Sequence, residues 1–580
     1  MEVVCIPNKH TRAGDILPCV LIYLVVVWFA LILAECIGEG GLPQMISNFV
    51  VALRHPFDIR WTENSMAVLV VCSACYLLGI GIYFTDRAKR RDGEEHGSAV
   101  WGSPKQINAM FVQKEKKPLT RHVSLGLDSK KHQRNLNVLV IGGSGASKTR
   151  GYVKPNILEA NTNYVVTDPK MEVLAATGGF LKSQGYDIRV LNLVNFEQSD
   201  GYNPFRYIRD DKDVLRLVNN LIQSTTPKGS HESDPFWTKS ETALLQAIIL
   251  MLVHEAPEYE QNFSMVMRVL EYAEVKEEDE EYLSPLDMLF ESLAREKPEH
   301  IAVRQYRVFK QAAGKTAKSI IVSAAVRLAA FNLPQVKAIT DHDDMDLYSL
   351  GEQKCAIYAV IPDNDTTFNF LVSLLYAQAF QILYYSADQI HHGALPHHVH
   401  FVLDEFAAMP LPGYTRELAT MRSRNISSST IIQNIAQIKE LYKDSWETIL
   451  GNSDTILYLG GNESSTHKLI SEMLGKASIL TKSHGESHGR SGNYSTNTQS
   501  SGRELLTPDE VRKLDNRYCI LFIRGALPVM DLKIDLTKHR NINFSSDGGG
   551  SPYIHHKPVF TGRPLFVEEP KEISQERKGA

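Results

Sequence analysis

The stretch GGSGASKTR at residues 142–150 has the residue types and spacing to hold a nucleotide's phosphate chain. It fits G-x-x-x-x-G-K-[ST] at Gly142, Lys148 and Thr149, with Gly143, Ser144, Gly145 and Ala146 between them. Small residues let backbone N–H groups curl around phosphate oxygens. Lys148 is expected to reach the β- and γ-phosphates and the Thr149 hydroxyl to ligate Mg²⁺, with Arg150 completing the cofactor-binding set. Ser147 departs from the pattern, standing where the second glycine belongs, and its Cβ narrows the backbone options. Further along, HFVL at 400–403 runs into Asp404 and Glu405. An apolar strand ending in two acids suits phosphoryl transfer to water: Asp404 orders Mg²⁺ through its water shell and Glu405 polarises the attacking water. Gln433 ends another such run, SSTIIQ, and either senses the γ-phosphate or serves as a hydrogen-bonded strand-end amide. The expected cofactors are ATP and Mg²⁺, and the expected reaction is ATP hydrolysis, with Lys148, Asp404, Glu405 and Gln433 as its catalytic candidates.

These residues need a sheet that ends at one edge. NLNVLVI at 135–141 is a short, nearly continuous apolar run, as in a parallel strand buried on both faces. Similar runs at 164–168, 188–193, 355–361, 428–433, 455–459 and 519–524 alternate with helical stretches. The expected fold is therefore α/β: a RecA-like P-loop NTPase domain with a mainly parallel sheet and its ligands at the C-terminal strand edge. Lys148 and Asp404 stand much further apart than one strand–helix repeat requires, and residues 210–345 read as largely helical. An all-α domain inserted into the motor accounts for both. Ser, Gly and Asn dominate residues 483–503, which read as a mobile loop, and the segment from 545 reads as a loosely ordered tail.

Composition places this motor at a membrane. The 580 residues are 43% hydrophobic and 22% charged, with a formal net charge of −5. A globular chain fits these values, and no global positive field draws nucleic acid to its surface. Residues 16–34 and 66–84 carry no charge and are each long enough to cross a hydrocarbon core of about 30 Å. Lys9 and Arg12 precede the first run, and Arg87, Lys89, Arg90 and Arg91 follow the second. Between the runs, Arg54 and Arg60 are offset by Glu39, Asp58 and Glu63, so the positive-inside rule puts both termini in the cytoplasm. The expected division is a two-helix transmembrane anchor at 1–91, the two parts of the ATPase domain at 92–209 and 346–544, the helical insertion at 210–345 and the tail at 545–580.

Other features read as structural. Cys72 and Cys75 lie inside the second apolar run, where small-residue helix packing outweighs thiolate chemistry, and Cys355 and Cys519 read as core. His391, His392, His397, His398 and His400 lack zinc-like spacing and read as a surface loop. The acidic run at 277–281 reads as a solvated face. A basic stretch at 114–134, with Lys116, Lys117, Arg121, Lys130 and Lys131, is either a solvated face or a contact for DNA.

Taken in order, HGSAVWG at 96–102, GGSGASKT, VVTDPKME at 165–172, GYNPF at 201–205, DPFW at 234–237 and LDEFAAMP at 403–410 give the chain a family likeness. It resembles the TraG/TraD family of type IV secretion coupling proteins, especially conjugation proteins of Gram-positive mobile elements, from the anchor to about residue 540. The resemblance implies a hexameric homo-oligomer that recruits a relaxase–DNA complex and passes it to a secretion channel at the expense of ATP, with DNA and membrane lipids among its contacts. It also implies an arginine that completes a neighbour's site, for which Arg422 and Arg424 are the candidates. Asp168 and Lys170 match a family motif near the nucleotide, although a strand-end acid beside a proline also makes an ordinary turn. Two other readings remain: a membrane docking platform that binds nucleotide with little turnover, and a motor for protein effectors alone.

Overall fold

The computed structural model describes residues 12–37, 41–89, 96–226, 235–274, 282–312, 314–409, 411–487 and 493–556. Lys9, Glu39, Arg90, Arg91, Asp234, Pro410, the acidic run at 277–281 and the tail from 557 lie outside the described residues. In chain order the strands are β1 (Lys116–Pro118), β2 (Ser124–Gly126), β3 (Val138–Ile141), β4 (Asn163–Asp168), β5 (Asp187–Asn192), β6 (Cys355–Val360) and β7 (Val399–Leu403). They continue with β8 (Ile426–Ile432), β9 (Thr455–Tyr458), β10 (Lys476–Ser487), β11 (Asn493–Glu504), β12 (Tyr518–Ile523) and β13 (Val529–Leu532). The chain divides into two compact units, residues 1–98 with 476–503 and residues 99–475 with 504–580.

In the larger unit, nine strands form one sheet in the order β13-β12-β9-β3-β8-β7-β4-β6-β5. From β9 to β5 every neighbouring pair is parallel, while β12 runs antiparallel to both β9 and β13. Val138 to Ile141 are fully buried, as a strand covered on both faces requires. The neighbouring strand β8 is different: its centre is Ser427, Ser428, Ser429 and Thr430, none of them exposed. Buried hydroxyls need partners, and they have them. Tyr414 Oη pairs with Ser428 Oγ at 2.8 Å and Thr430 Oγ1 at 2.6 Å, and Tyr152 Oη pairs with Ser429 Oγ at 2.6 Å. His400, within β7, lies 2.6 Å from Ser427 Oγ and 2.9 Å from Ser429 Oγ.

His400 therefore belongs to the core, not to the surface loop expected for the five histidines. Burial and the neighbouring Lys117 ammonium push its ring well below the usual histidine range. Lys117 is buried as well. Its ammonium donates to the Leu136 carbonyl at 2.9 Å, which removes it from the basic face expected at 114–134.

Between β5 and β6 the described residues form only helices and short helical turns, from Asp211–Thr225 to Pro334–Thr340. Their apolar faces join the same buried core as one side of the sheet. Residues 545–556, expected as tail, lie against the sheet's helices. Tyr553 N donates to the Ala175 carbonyl at 2.9 Å, Lys154 Nζ meets Asp547 at 2.7 Å, and His555 Nε2 meets Asp200 at 2.9 Å.

In the smaller unit, α1 (Arg12–Cys36) and α3 (Ser65–Lys89) pack antiparallel. Tyr76 Oη donates to the Cys19 carbonyl at 2.5 Å, and Tyr23 Oη lies 3.1 Å from Ser73 Oγ. Between them α2 (Gly41–Ala52) folds back along α1, with Phe49 edge-on to Phe29 and Trp28 Nε1 donating to the Pro56 carbonyl. Leu17, Leu21, Leu24, Leu77, Leu78 and Ile82 are exposed on α1 and α3. Strands β10 and β11 pair with each other where the loop at 483–503 was expected. Pairing satisfies the backbone of a segment whose composition reads as coil, and its threonines favour extended chain.

Four described helical segments are long and apolar enough to cross a membrane. Leu17–Cys36 and Ser65–Thr85 are largely exposed, whereas Phe236–Glu255 and Asn369–Ile390 are mostly buried within the larger unit.

Candidate functional site

Parallel strands carry their following loops to one edge, and there the sheet assembles the chemistry expected from the sequence. Gly142 follows β3, Asp404 follows β7 and Gln433 follows β8, three adjacent strands. The loop after β3 is pinned at its start: Gly142 N donates to the Ile432 carbonyl at 3.0 Å and Gly143 N to the Gly460 carbonyl at 2.8 Å. Gly143 also approaches Gly461 so closely that a Cβ would stand 3.2 Å from its Cα. Among the described residues the amides of Ser144, Gly145 and Ser147 donate to no acceptor, so they are free to take an anion. Gly145 has φ +75° and Ser147 φ +67°. The left-handed conformation at Ser147 explains why glycine is expected there, and for serine it costs about 1–2 kcal/mol. Lys148 Nζ reaches across to the Gly143 carbonyl at 3.4 Å.

Thr149 Oγ1 donates to Asp404 Oδ2 at 2.9 Å, joining the two motifs. Asp404 is 2% exposed. Burial pushes its carboxyl up to about 6; the Thr149 hydrogen bond and the Lys148 charge pull it down, and neighbouring Glu405 raises it. A hydroxyl and a carboxylate together at the end of a phosphate loop are hard oxygen donors of the kind Mg²⁺ prefers, so the donor set fits that ion. Glu405 takes a left-handed φ of +49°, a conformation that a non-glycine residue holds only where its surroundings impose it. Its carboxylate accepts from Gln433 Nε2, at 3.1 Å to Oε2 and 3.3 Å to Oε1. The strand-end amide is thus spent on orienting Glu405. Helix formation after the loop begins with a π turn, Thr149–Val153.

Three other expected site residues have their bonding partners outside this cluster. Asp168 ends β4, which pairs with β7 in parallel with Thr167 opposite Leu403, so it lies at the same edge beside Asp404. It is fully buried and accepts from Val173 N at 2.9 Å, Leu174 N at 2.7 Å and Lys170 N at 3.4 Å, capping the helix Glu172–Ser183. Burial raises its carboxyl to about 6. Arg422 and Arg424 precede β8 and so lie at the opposite edge of the sheet. Arg424 makes two 2.8 Å bonds to the Asp388 carboxylate and covers the Tyr384 ring, while Arg422 is exposed and donates to the Ser129 carbonyl at 3.3 Å. Arg150 leans toward Asp547 at 3.8 Å. Two residues that support the loop were not foreseen, Lys533 and Asp547. Lys533 Nζ donates to the Ala146 carbonyl at 3.0 Å, and no local pattern marks a lysine nearly the whole sheet away in sequence.

Residues 92–536 match the family described as type IV secretory system conjugative DNA transfer. Protein VirD4 of Rhizobium radiobacter is 24% identical over 423 residues, covering 70% of this chain and 57% of that protein. The conjugal transfer protein TraG of Escherichia coli is 24% identical over 498 residues, covering 80% and 77%. This chain thus spans little more than half the length of the VirD4 protein. Plasmid coupling protein TrwB, solved in complex with ADP and Mg²⁺, shares the fold with a TM-score of 0.57 and 15% identity, over 76% of this chain and 95% of that one.

Proposed function

Because the chain belongs to the type IV secretory system conjugative DNA transfer family, we propose that it is a membrane-anchored coupling ATPase that recruits a relaxase–DNA complex and drives it toward a type IV secretion channel. The observation that carries this reading is the 2.9 Å bond from Thr149 to Asp404, which unites the phosphate loop with the acidic strand end. ATP binds along residues 142–149, with the loop amides and Lys148 on its phosphates. Thr149 and Asp404 would hold Mg²⁺, an ion that the related TrwB takes together with ADP. When bound there, Mg²⁺ would supply positive charge to offset what builds up on the transferred phosphoryl group. Glu405, oriented by Gln433, aligns the attacking water and takes its proton.

The remaining parts of the proposal concern assembly. α1 and α3 cross the membrane as two spans with both termini inside, which their exposed leucines and the flanking positive charges support. Helices between β5 and β6 form an all-α domain inserted in the motor. Subunits close into a hexameric ring in which Arg422 meets the neighbour's γ-phosphate; its exposure and its place on the edge opposite its own nucleotide support that role.

The decisive experiment uses full-length protein in lipid nanodiscs with DNA, and a mating assay. Lys148→Ala should abolish both ATP hydrolysis and transfer. Transfer that survives would overturn the motor and leave a docking platform, a reading that the strained Ser147 favours.

A further inference from the structure

The phosphate loop contains a serine in a conformation suited to glycine, and the chain surrounds that residue with restraints. Gly151 N donates to the Ser147 carbonyl at 2.6 Å, and Ala146 N to the Gly143 carbonyl at 3.2 Å. The third restraint comes from far along the chain. Lys533, the residue after β13, is half-buried with its ammonium between the Ala146 carbonyl at 3.0 Å and Asn516 Oδ1 at 2.7 Å. Its own amide is fixed to the Arg517 carbonyl at 2.9 Å, so the side chain starts from a held backbone. The peptide that Lys533 grips is the one joining Ala146 to Ser147, and rotation of that peptide sets the φ of Ser147. A charge-assisted bond at the carbonyl resists this rotation.

We propose that Lys533 is a positioning residue that holds the Ala146–Ser147 peptide in the phosphate-binding orientation, offsetting the absence of glycine at position 147. The bond approaches the loop through a carbonyl, while the amides of Ser144, Gly145 and Ser147 stay free for the phosphates. Without the grip, a serine relaxes from φ +67° toward the ordinary negative range and turns its amide out of the cradle. Glycine in the same place has no such preference and needs no grip. Burial lowers the ammonium of Lys533 from its ordinary value, in keeping with a group held by neutral oxygens and not by a carboxylate.

This inference rests on reading residues 142–149 as the phosphate cradle, and a double-mutant cycle separates the two. Binding of ADP with Mg²⁺ is measured by calorimetry on full-length protein in nanodiscs for the wild type, Lys533→Met, Ser147→Gly and the double variant. Lys533→Met should weaken binding about tenfold in the wild-type background and less than about twofold in the Ser147→Gly background. An equal loss in both backgrounds, or no loss in either, overturns the proposal while leaving the cradle intact. If the wild type itself binds no ADP, the cradle reading fails. Lys533→Arg, which keeps the charge and the donors, should recover most of the lost affinity, and thermal unfolding of each variant shows that the fold is retained.

Discussion

Glu405 and Asp404 are neighbours in sequence with separate proposed duties, and single substitutions should tell them apart. Glu405→Gln keeps the shape and the Gln433 contact but removes the proton acceptor. ATP hydrolysis should fall by about 10²–10⁴-fold while ADP affinity stays within about twofold, measured by steady-state turnover and calorimetry. Asp404 should reveal itself through pH. Its buried carboxyl is raised from an ordinary 3.8 to about 6, so the folded chain holds a proton there that the unfolded chain would release. Its contribution to folding is present at low pH and is lost as pH rises from 3.8 to about 6. Metal binding runs the other way, because only the ionised carboxylate serves Mg²⁺. Mg²⁺-dependent nucleotide affinity should therefore fall about tenfold per pH unit below about pH 6, and Asp404→Asn should remove that slope. An unchanged affinity between pH 7 and pH 5 would separate Asp404 from the metal.

At the scale of elements, the segment after β13 is a brace for the nucleotide helix. Lys154 is 5% exposed at its side chain and Asp547 is its 2.7 Å partner, so Asp547→Ala leaves a buried ammonium unpaired and should cost about 2–4 kcal/mol of stability, read as a lower denaturant midpoint. Gly178 gives an independent test. A Cβ there would stand 2.6 Å from the Tyr553 ring, so Gly178→Val should release residues 545–556 to limited proteolysis while the sheet persists. This brace was illegible in the sequence for a physical reason. Strands such as VLVI at 138–141 declare themselves because burial on both faces demands an apolar run, and the loop GGSGASKT because close approach to phosphate demands small residues. Asp547 and Lys533 act through single long-range contacts that need neither periodicity nor composition. Serines in β8 were legible as a strand only through their flanking isoleucines; their partners Tyr152, His400 and Tyr414 come from three separate segments. Asp168 shows why a strand-end acid stays ambiguous in sequence: the same residue type suits a ligand and the first turn of a helix, whose Val173 and Leu174 amides it accepts here.

For the whole molecule, a site at one edge of the sheet and an exposed arginine at the other make the subunit directional, so contacts that use both must run head to tail. Arg422→Ala should reduce ATP turnover by about 10³-fold or more without loss of ADP affinity. Mixing it with Lys148→Ala should restore measurable turnover, because an intact site and an intact arginine then meet at some interfaces. Restoration is checked by the rate of phosphate release in mixed nanodiscs, and its absence would place the arginine's role within one chain. The four membrane-compatible helices carry a different consequence, one for counting spans. Leu17–Cys36 and Ser65–Thr85 come first in the chain and leave their apolar surface largely exposed. Phe236–Glu255 and Asn369–Ile390 are also long and apolar enough to span, but the fold buries them: the helices Asp211–Thr225, Ile301–Phe309 and Gly314–Leu328 pack on the first, and Phe401 of β7 stacks on Phe380 of the second. Apolar length alone would therefore count four spans among the described residues, and burial within the larger unit is what separates the second pair from the first.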